Sequence, residues 1–242
     1  NPEVPVYVGS SRFITADLAE KQDHPDILLL DDAYQHLAIH RDLNLLLIDA
    51  EQGLGNRHLL PFGVLREPEN QWKRADAVIL TKTNLATSDT VLQMLKHELQ
   101  VSCPVFKFKY EVQGLTRLDG KARLNLNAII NKRLLLTSGI AQPKGFERLM
   151  EQQGIEVIGK IEFPDHHDYG AEDVRKILEK QQKLKPEYML TTEKDAVKLR
   201  NFAELGEQIW VLEMEMIPDN LWNDFLAEFL RVNFENLKNE NH

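Results

Sequence analysis

Two adjacent carboxylates, Asp31 and Asp32, follow the apolar run Ile27 to Leu30, and Gln35 and His36 come close behind in "ILLLDDAYQH". In open α/β sheets ligands bind beyond the carboxyl ends of the strands, so polar residues that close an apolar run are the first candidates for chemistry. A strand-end Asp is how P-loop phosphotransferases hold Mg²⁺: the strand fixes the carboxylate and the metal neutralises charge between nucleotide phosphates. On that reading Asp31 and Asp32 bind the metal or its water shell, while Gln35 and His36 reach substrate. An Asp that merely caps the following turn gives the same short pattern, and this run alone does not separate the two.

Three further segments carry reactive side chains. "GLGNRHLLPFGVLREP", residues 53–68, is long and rich in turn formers, and it holds Arg57, His58, Arg66 and Glu67. Long ordered loops near strand ends are usually functional, and the guanidinium fork suits phosphate. "EFPDHHDYG", residues 162–170, releases Asp165, His166, His167 and Asp168 together after a strand-like run. Imidazole beside carboxylate suits proton handling or metal binding, because the carboxylate sets the ring tautomer and its basicity. "TTEKDAVK", residues 191–198, places Thr192 as a helix cap with Asp195 three residues on, a near capping box whose amides could equally face an anion. "TKTN" at 81–84 is only faintly like a base-reading segment. "HRD" at 40–42 lacks the companion motifs of a protein kinase.

The elements that must position these groups are short apolar runs alternating with helical patterns. Strands are expected at Val4 to Val8, Ile27 to Leu30, Leu43 to Ile48, Ala77 to Leu80 and Val105 to Tyr110, and a helix from Ser88 to Leu99, capped by Ser88. The strand runs lack polar alternation, as strands covered on both faces do, so the sheet is expected to be parallel or mixed. Alternating residues around Asp119-Gly120 predict a hairpin. A second βα series follows, with strands at 133–137, 157–163, 188–190 and 209–212 and helices at 143–153, 171–183, 194–202 and 220–233. The expected class is α/β: two α/β/α lobes, residues 1–110 and 129–242, joined by a β-hairpin linker at 111–128.

Composition bounds the partners. The chain has 242 residues, 43% of them hydrophobic, enough for a sizeable core. A net charge of -9 argues against nucleic acid as a partner. Cys103 is the single cysteine, which excludes an internal disulfide and a cysteine-based zinc cluster and fits a reducing compartment. No apolar run approaches the roughly 18 residues of a membrane span. The chain opens on "NPEVPVYVG" without Met, running directly into an apolar segment, so further residues are expected upstream.

Taken together, "DDAYQH", "RDLNLLLIDA", "GLGNRHLLPFGVLREP", "TSGIAQPKGFERL", "EFPDHHDY" and "TTEKDAVK" resemble, in order and spacing, the tetraacyldisaccharide 4'-kinases of lipid A biosynthesis. The likeness spans nearly the whole chain. It implies a P-loop kinase at the cytoplasmic face of the inner membrane of a Gram-negative bacterium, moving the γ-phosphate of ATP, with Mg²⁺, onto the 4'-hydroxyl of a tetraacyl disaccharide 1-phosphate. By the same resemblance Asp31 and Asp32 lie near Mg²⁺ and phosphate, and Gln35 and His36 complete their motif. Arg12 matches an arginine near the site. Arg66 and Glu67 match an arginine-glutamate pair of the phosphate and sugar region, and His166 matches the histidine that pairs with the catalytic aspartate. The chain departs from the family in having no G-x-x-x-x-G-K-[ST]. The resemblance puts that loop, the general-base aspartate and the membrane-associating helix upstream of "VPVYVGSSRF". These residues are therefore expected to be a carboxy-terminal portion of such a kinase, inactive alone. Two rival readings stand beside this one. Asp165-His166-His167 spells the triplet of DHH-type metal-dependent phosphoesterases, whose other motifs are not found, and a noncatalytic α/β binding domain would use its polar strand ends only as caps.

Overall fold

The computed structural model describes residues 4–86 and 89–240, with residues 234–240 described by backbone alone. In chain order its elements are α1 (Arg12–Asp23), β1 (Leu45–Asp49), β2 (Ala77–Thr81), α2 (Thr90–Gln93), β3 (Val105–Arg117), β4 (Arg123–Leu124) and β5 (Arg133–Ser138). There follow α3 (Pro143–Gln152), β6 (Glu156–Glu162), α4 (Ala171–Leu184), β7 (Tyr188–Thr192), α5 (Glu193–Leu199), β8 (Ile209–Pro218) and α6 (Asn220–Glu240). They form two compact units. The first comprises Asn1–Thr81, Thr87–Lys107 and Asp219–His242, and the second Lys82–Ala86 and Phe108–Pro218.

In the first unit β2 lies between β1 and the start of β3, with both pairings parallel. All five residues of β2 are buried, which is why its sequence, AVILT, is an unbroken run. Ile48, Val78, Leu80 and Leu95 form the buried core. Leu95 arrives on a π turn, Met94–Glu98, that continues α2. The predicted cap of this helix, Ser88, lies outside the described residues. The carboxy-terminal helix α6, expected in the second lobe, groups with this unit. Phe106 meets Trp222 edge-on at 5.3 Å and Phe225 at 5.0 Å. The Asp219 carboxylate accepts the Lys107 N–H at 2.8 Å, anchoring the start of α6.

Two expected strands do not form. Residues 4–8 and 27–30 run without sheet pairing, and Val6, Val8 and Leu29 are more than four-fifths exposed. Apolar β-branched sequence makes a segment able to pair, but a strand exists only where a neighbouring edge takes its N–H and C=O groups. Among the described residues neither segment has such an edge.

The second unit is an α/β/α sandwich, in agreement with the expected class. From Phe108 onward β3 runs antiparallel to β8, with a register shift between Val112 and Gly114. The order continues β8-β7-β5-β6 through parallel pairs, so the sheet is mixed. Alternation along β5 sends Leu134 and Leu136 into one core with Phe146, Leu149 and Met150 of α3. Leu135 goes to the other face, with Val174 and Ile177 of α4 and Ala196 and Leu199 of α5. The predicted hairpin is present: Leu115 faces Leu124 and Thr116 faces Arg123. Gly120 supplies the positive φ, +77°, that the tight turn requires. These residues lie within the second unit's sheet.

Candidate active site

In the first unit the segment 31–41 is a run of turns fastened by arginines. Arg41 donates to the carbonyls of Ala33 (2.7 Å) and His36 (2.8 Å). Arg74 donates to the Tyr34 carbonyl at 3.2 Å and lies over the Tyr34 ring, 4.7 Å from its centroid. Arg66 pairs with Asp32, which brings the segments "DDAYQH" and "LREP" together. Asp31 and Asp32 are both exposed, and Asp32 sits at φ +47°, a left-handed conformation uncommon outside glycine. Glu67 turns away from this pair and is held by Arg74. Gln35 is half-buried and His36 exposed within the same run of turns, while Arg12 opens α1 behind the Ser11 cap.

Two arginine and asparagine candidates have structural employment. The Arg57 guanidinium is taken by Glu69 (2.6 and 2.9 Å) and Glu98 (2.7 Å), which hold its pKa above the ordinary arginine value and leave little of its fork for phosphate. Asn84 of "TKTN" bonds both the N–H and the carbonyl of Tyr110. A groove bounded by Leu37, Ile39, Arg41, Asn44, Arg74 and Asp76 opens where β1 and β2 begin, the end of parallel strands that ligands do not favour.

In the second unit three strand ends converge on one buried carboxylate. Asp195, only 3% exposed, accepts the Gly139 N–H beyond β5 (3.0 Å), the Tyr169 hydroxyl beyond β6 (2.8 Å) and the Thr192 hydroxyl ending β7 (2.7 Å). Gly139 lies close against this cluster: a Cβ would come within 3.0 Å of the Tyr169 oxygen and 3.1 Å of the Asp195 carboxylate, so the neighbours would have to shift. Burial, and then the Asp195 carboxylate, push the Tyr169 hydroxyl well above the ordinary tyrosine pKa, so it remains a donor.

On this base the loop 165–168 is gripped by α5. Lys194 pairs with Asp165 at 2.7 Å and stands 3.4 Å from His166 Nε2. Lys198 donates to the carbonyls of His166 and His167, each at 2.8 Å, and pairs with Asp168 at 2.7 Å. These ammonium groups hold Asp165 and Asp168 below the usual carboxylate range. His167 stacks on Phe163 with centroids 4.8 Å apart and puts Nε2 2.9 Å from the Asp173 carboxylate, depressing the Asp173 pKa. His166 is exposed and, like Asp32, left-handed, at φ +59°. The DHH triplet thus spends its first carboxylate on lysine, and among the described residues no three His, Cys, Asp or Glu side chains group as metal ligands.

The chain is similar to known proteins along most of its length. A family model described as tetraacyldisaccharide-1-P 4'-kinase matches residues 1–231. The chain belongs to that family. A tetraacyldisaccharide 4'-kinase of Bdellovibrio bacteriovorus is 38% identical over 216 residues, covering 89% of this chain and 63% of the relative. One from Desulfatibacillum aliphaticivorans is 35% identical over 241 residues, covering 96% and 64%. Among solved structures, the "apo" form of LpxK from Aquifex aeolicus in complex with ATP shares the fold, with a TM-score of 0.63 and 28% identity over 91% of this chain and 61% of that one. The chain therefore spans somewhat under two thirds of the length of these tetraacyldisaccharide 4'-kinases.

Proposed function

We propose that this chain is part of an ATP-dependent kinase that phosphorylates the 4'-hydroxyl of a tetraacyldisaccharide 1-phosphate in lipid A biosynthesis. The observation that carries the reading is the Arg66–Asp32 pair in a member of this family. It gathers two separated loop motifs into one place that combines an anionic metal-binding group with a phosphate-binding fork. Mg²⁺ is commonly held by one or two carboxylates together with substrate phosphates, and two neighbouring exposed aspartates meet that requirement. Asp31 and Asp32 are assigned to the metal, and Arg66 to phosphate. Arg12, Gln35, His36 and Glu67 are assigned to substrate, with Glu67 acting through Arg74. His166 is assigned to proton handling. Bound Mg²⁺ supplies charge neutralisation; the chain's own residues supply position, which carries most of the rate in phosphoryl transfer.

The site of action is the inner membrane's cytoplasmic face, where a tetraacylated substrate resides. No described helix is long and apolar enough to cross a membrane, which suits a peripheral association. Because the 242 residues hold no glycine-rich phosphate loop, they are proposed to transfer no phosphate by themselves.

Transfer of radiolabel from γ-labelled ATP to the lipid disaccharide tests both statements. Residues 1–242 alone should give none, and the same residues preceded by a relative's P-loop segment should be active. In that longer protein Asp32→Ala or Asp31→Ala should lower kcat about 100-fold or more, about 2.7 kcal/mol of transition-state stabilisation. Undiminished turnover in the double variant would remove the metal assignment. Activity of residues 1–242 alone would remove the statement about the missing loop.

A further inference from the structure

Lysine has three N–H donors and no acceptor, so any nitrogen it bonds must present a lone pair. Lys194 Nζ lies 3.4 Å from His166 Nε2, fixed in place by its 2.7 Å bond to Asp165. The opposite influence comes from Asp165, whose second oxygen is 3.8 Å from the same Nε2 and would favour a proton there. That separation is beyond hydrogen-bond range, and the nearer ammonium decides. The backbone supports the arrangement: Lys198, one turn further along α5, ties down the carbonyls of the left-handed His166 and of His167 after it. The neighbouring ring is held the other way. His167 Nε2 faces the Asp173 carboxylate at 2.9 Å, and a carboxylate accepts, so the proton of His167 is on Nε2.

We propose that Lys194 is a positioning residue that sets the tautomer of His166, leaving Nε2 as acceptor and Nδ1–H as the donor, so that the two adjacent histidines carry opposite tautomers. The consequence for catalysis rests on the reading of His166 as the proton-handling group: its Nδ1–H becomes the face offered to an acceptor, while Lys194 holds the ring. The tautomer itself does not depend on that reading.

Long-range ¹H–¹⁵N correlation on histidine-labelled residues 1–242, at about pH 8.5 where ordinary histidines are neutral, reads each ring directly. The expected spectrum has His166 as the Nδ1–H form and His167 as Nε2–H. Lys194→Met should return His166 to the Nε2–H form that free imidazole prefers, and Lys194→Arg, also a pure donor, should keep it Nδ1–H. An unchanged His167 pattern in both variants certifies that the loop is folded. An Nε2–H His166 in the unaltered chain, or no response to Lys194→Met, overturns the proposal. In the longer protein with a P-loop, Lys194→Met should lower kcat about tenfold with KM for ATP unchanged. Loss of activity there with an unchanged tautomer would place the role of Lys194 elsewhere; a changed tautomer with full activity would instead remove the catalytic role of His166.

Discussion

Asp195 lies in the first turn of α5, where an acidic side chain ordinarily points to solvent and interacts with the helix dipole. Here it is buried and collects donors from Gly139, Tyr169 and Thr192, tying the segments that follow β5, β6 and β7. Removing the acceptor strands these buried donors, each at a cost of about 1–3 kcal/mol less whatever water can recover. Asp195→Ala is therefore expected to destabilise the second unit by about 3 kcal/mol in urea denaturation, whereas Asp168→Ala, which removes an exposed partner of Lys198, should leave it almost unchanged. Equal effects would show that burial of Asp195 carries no special weight. The helix start itself was legible: Thr192 caps α5 by accepting the Asp195 N–H at 3.2 Å. The inward turn of the carboxylate was not, because two of its three donors lie 26 and 56 positions away. The left-handed backbone at Asp32 and His166 was equally hidden, since local sequence without glycine argues against it.

At the scale of elements, the apolar runs with a paired neighbour were readable and those without were not. β2 and β5 are central strands, and their unbroken Leu, Ile and Val sequences predicted them to within a residue. β8 and β3 proved longer than their apolar cores because antiparallel pairing carries both ladders through alternating residues such as Lys109, Glu111, Glu213 and Glu215. Residues 27–30 have the composition of β2 and none of its pairing, so Leu29 is 89% exposed. With nothing packed around that side chain, Leu29→Lys should leave the midpoint of unfolding within about 0.5 kcal/mol of the unaltered chain. The same change interrupts an exposed strand-forming segment and should raise the concentration at which light scattering first detects aggregates. A loss of several kcal/mol would show that Leu29 is packed in solution.

For the whole molecule, the two units differ in how they are built from the chain. The first is assembled from three separate segments around a core of Ile48, Val78, Leu80 and Leu95, and it leaves Phe13, Ile14 and Leu18 of α1 more than two-fifths exposed. The second is one long segment plus Lys82–Ala86, with fully buried leucines on both faces of its sheet, among them Leu134, Leu135 and Leu190. Stability grows with apolar area removed from water, at about 25 cal/mol per Å², so the second unit holds the larger share. The chain should accordingly unfold in two steps rather than one, the first unit giving way at lower urea. Trp72 and Trp222 report on the first unit and Trp210 on the second, so single Trp→Phe variants separate the two transitions by fluorescence. Amide exchange should then find β5 and β7 protected through the first transition, while β1 and β2 exchange within it. Coincident transitions at all three tryptophans would mean that the strand shared between the units, β3, couples them into one cooperative body.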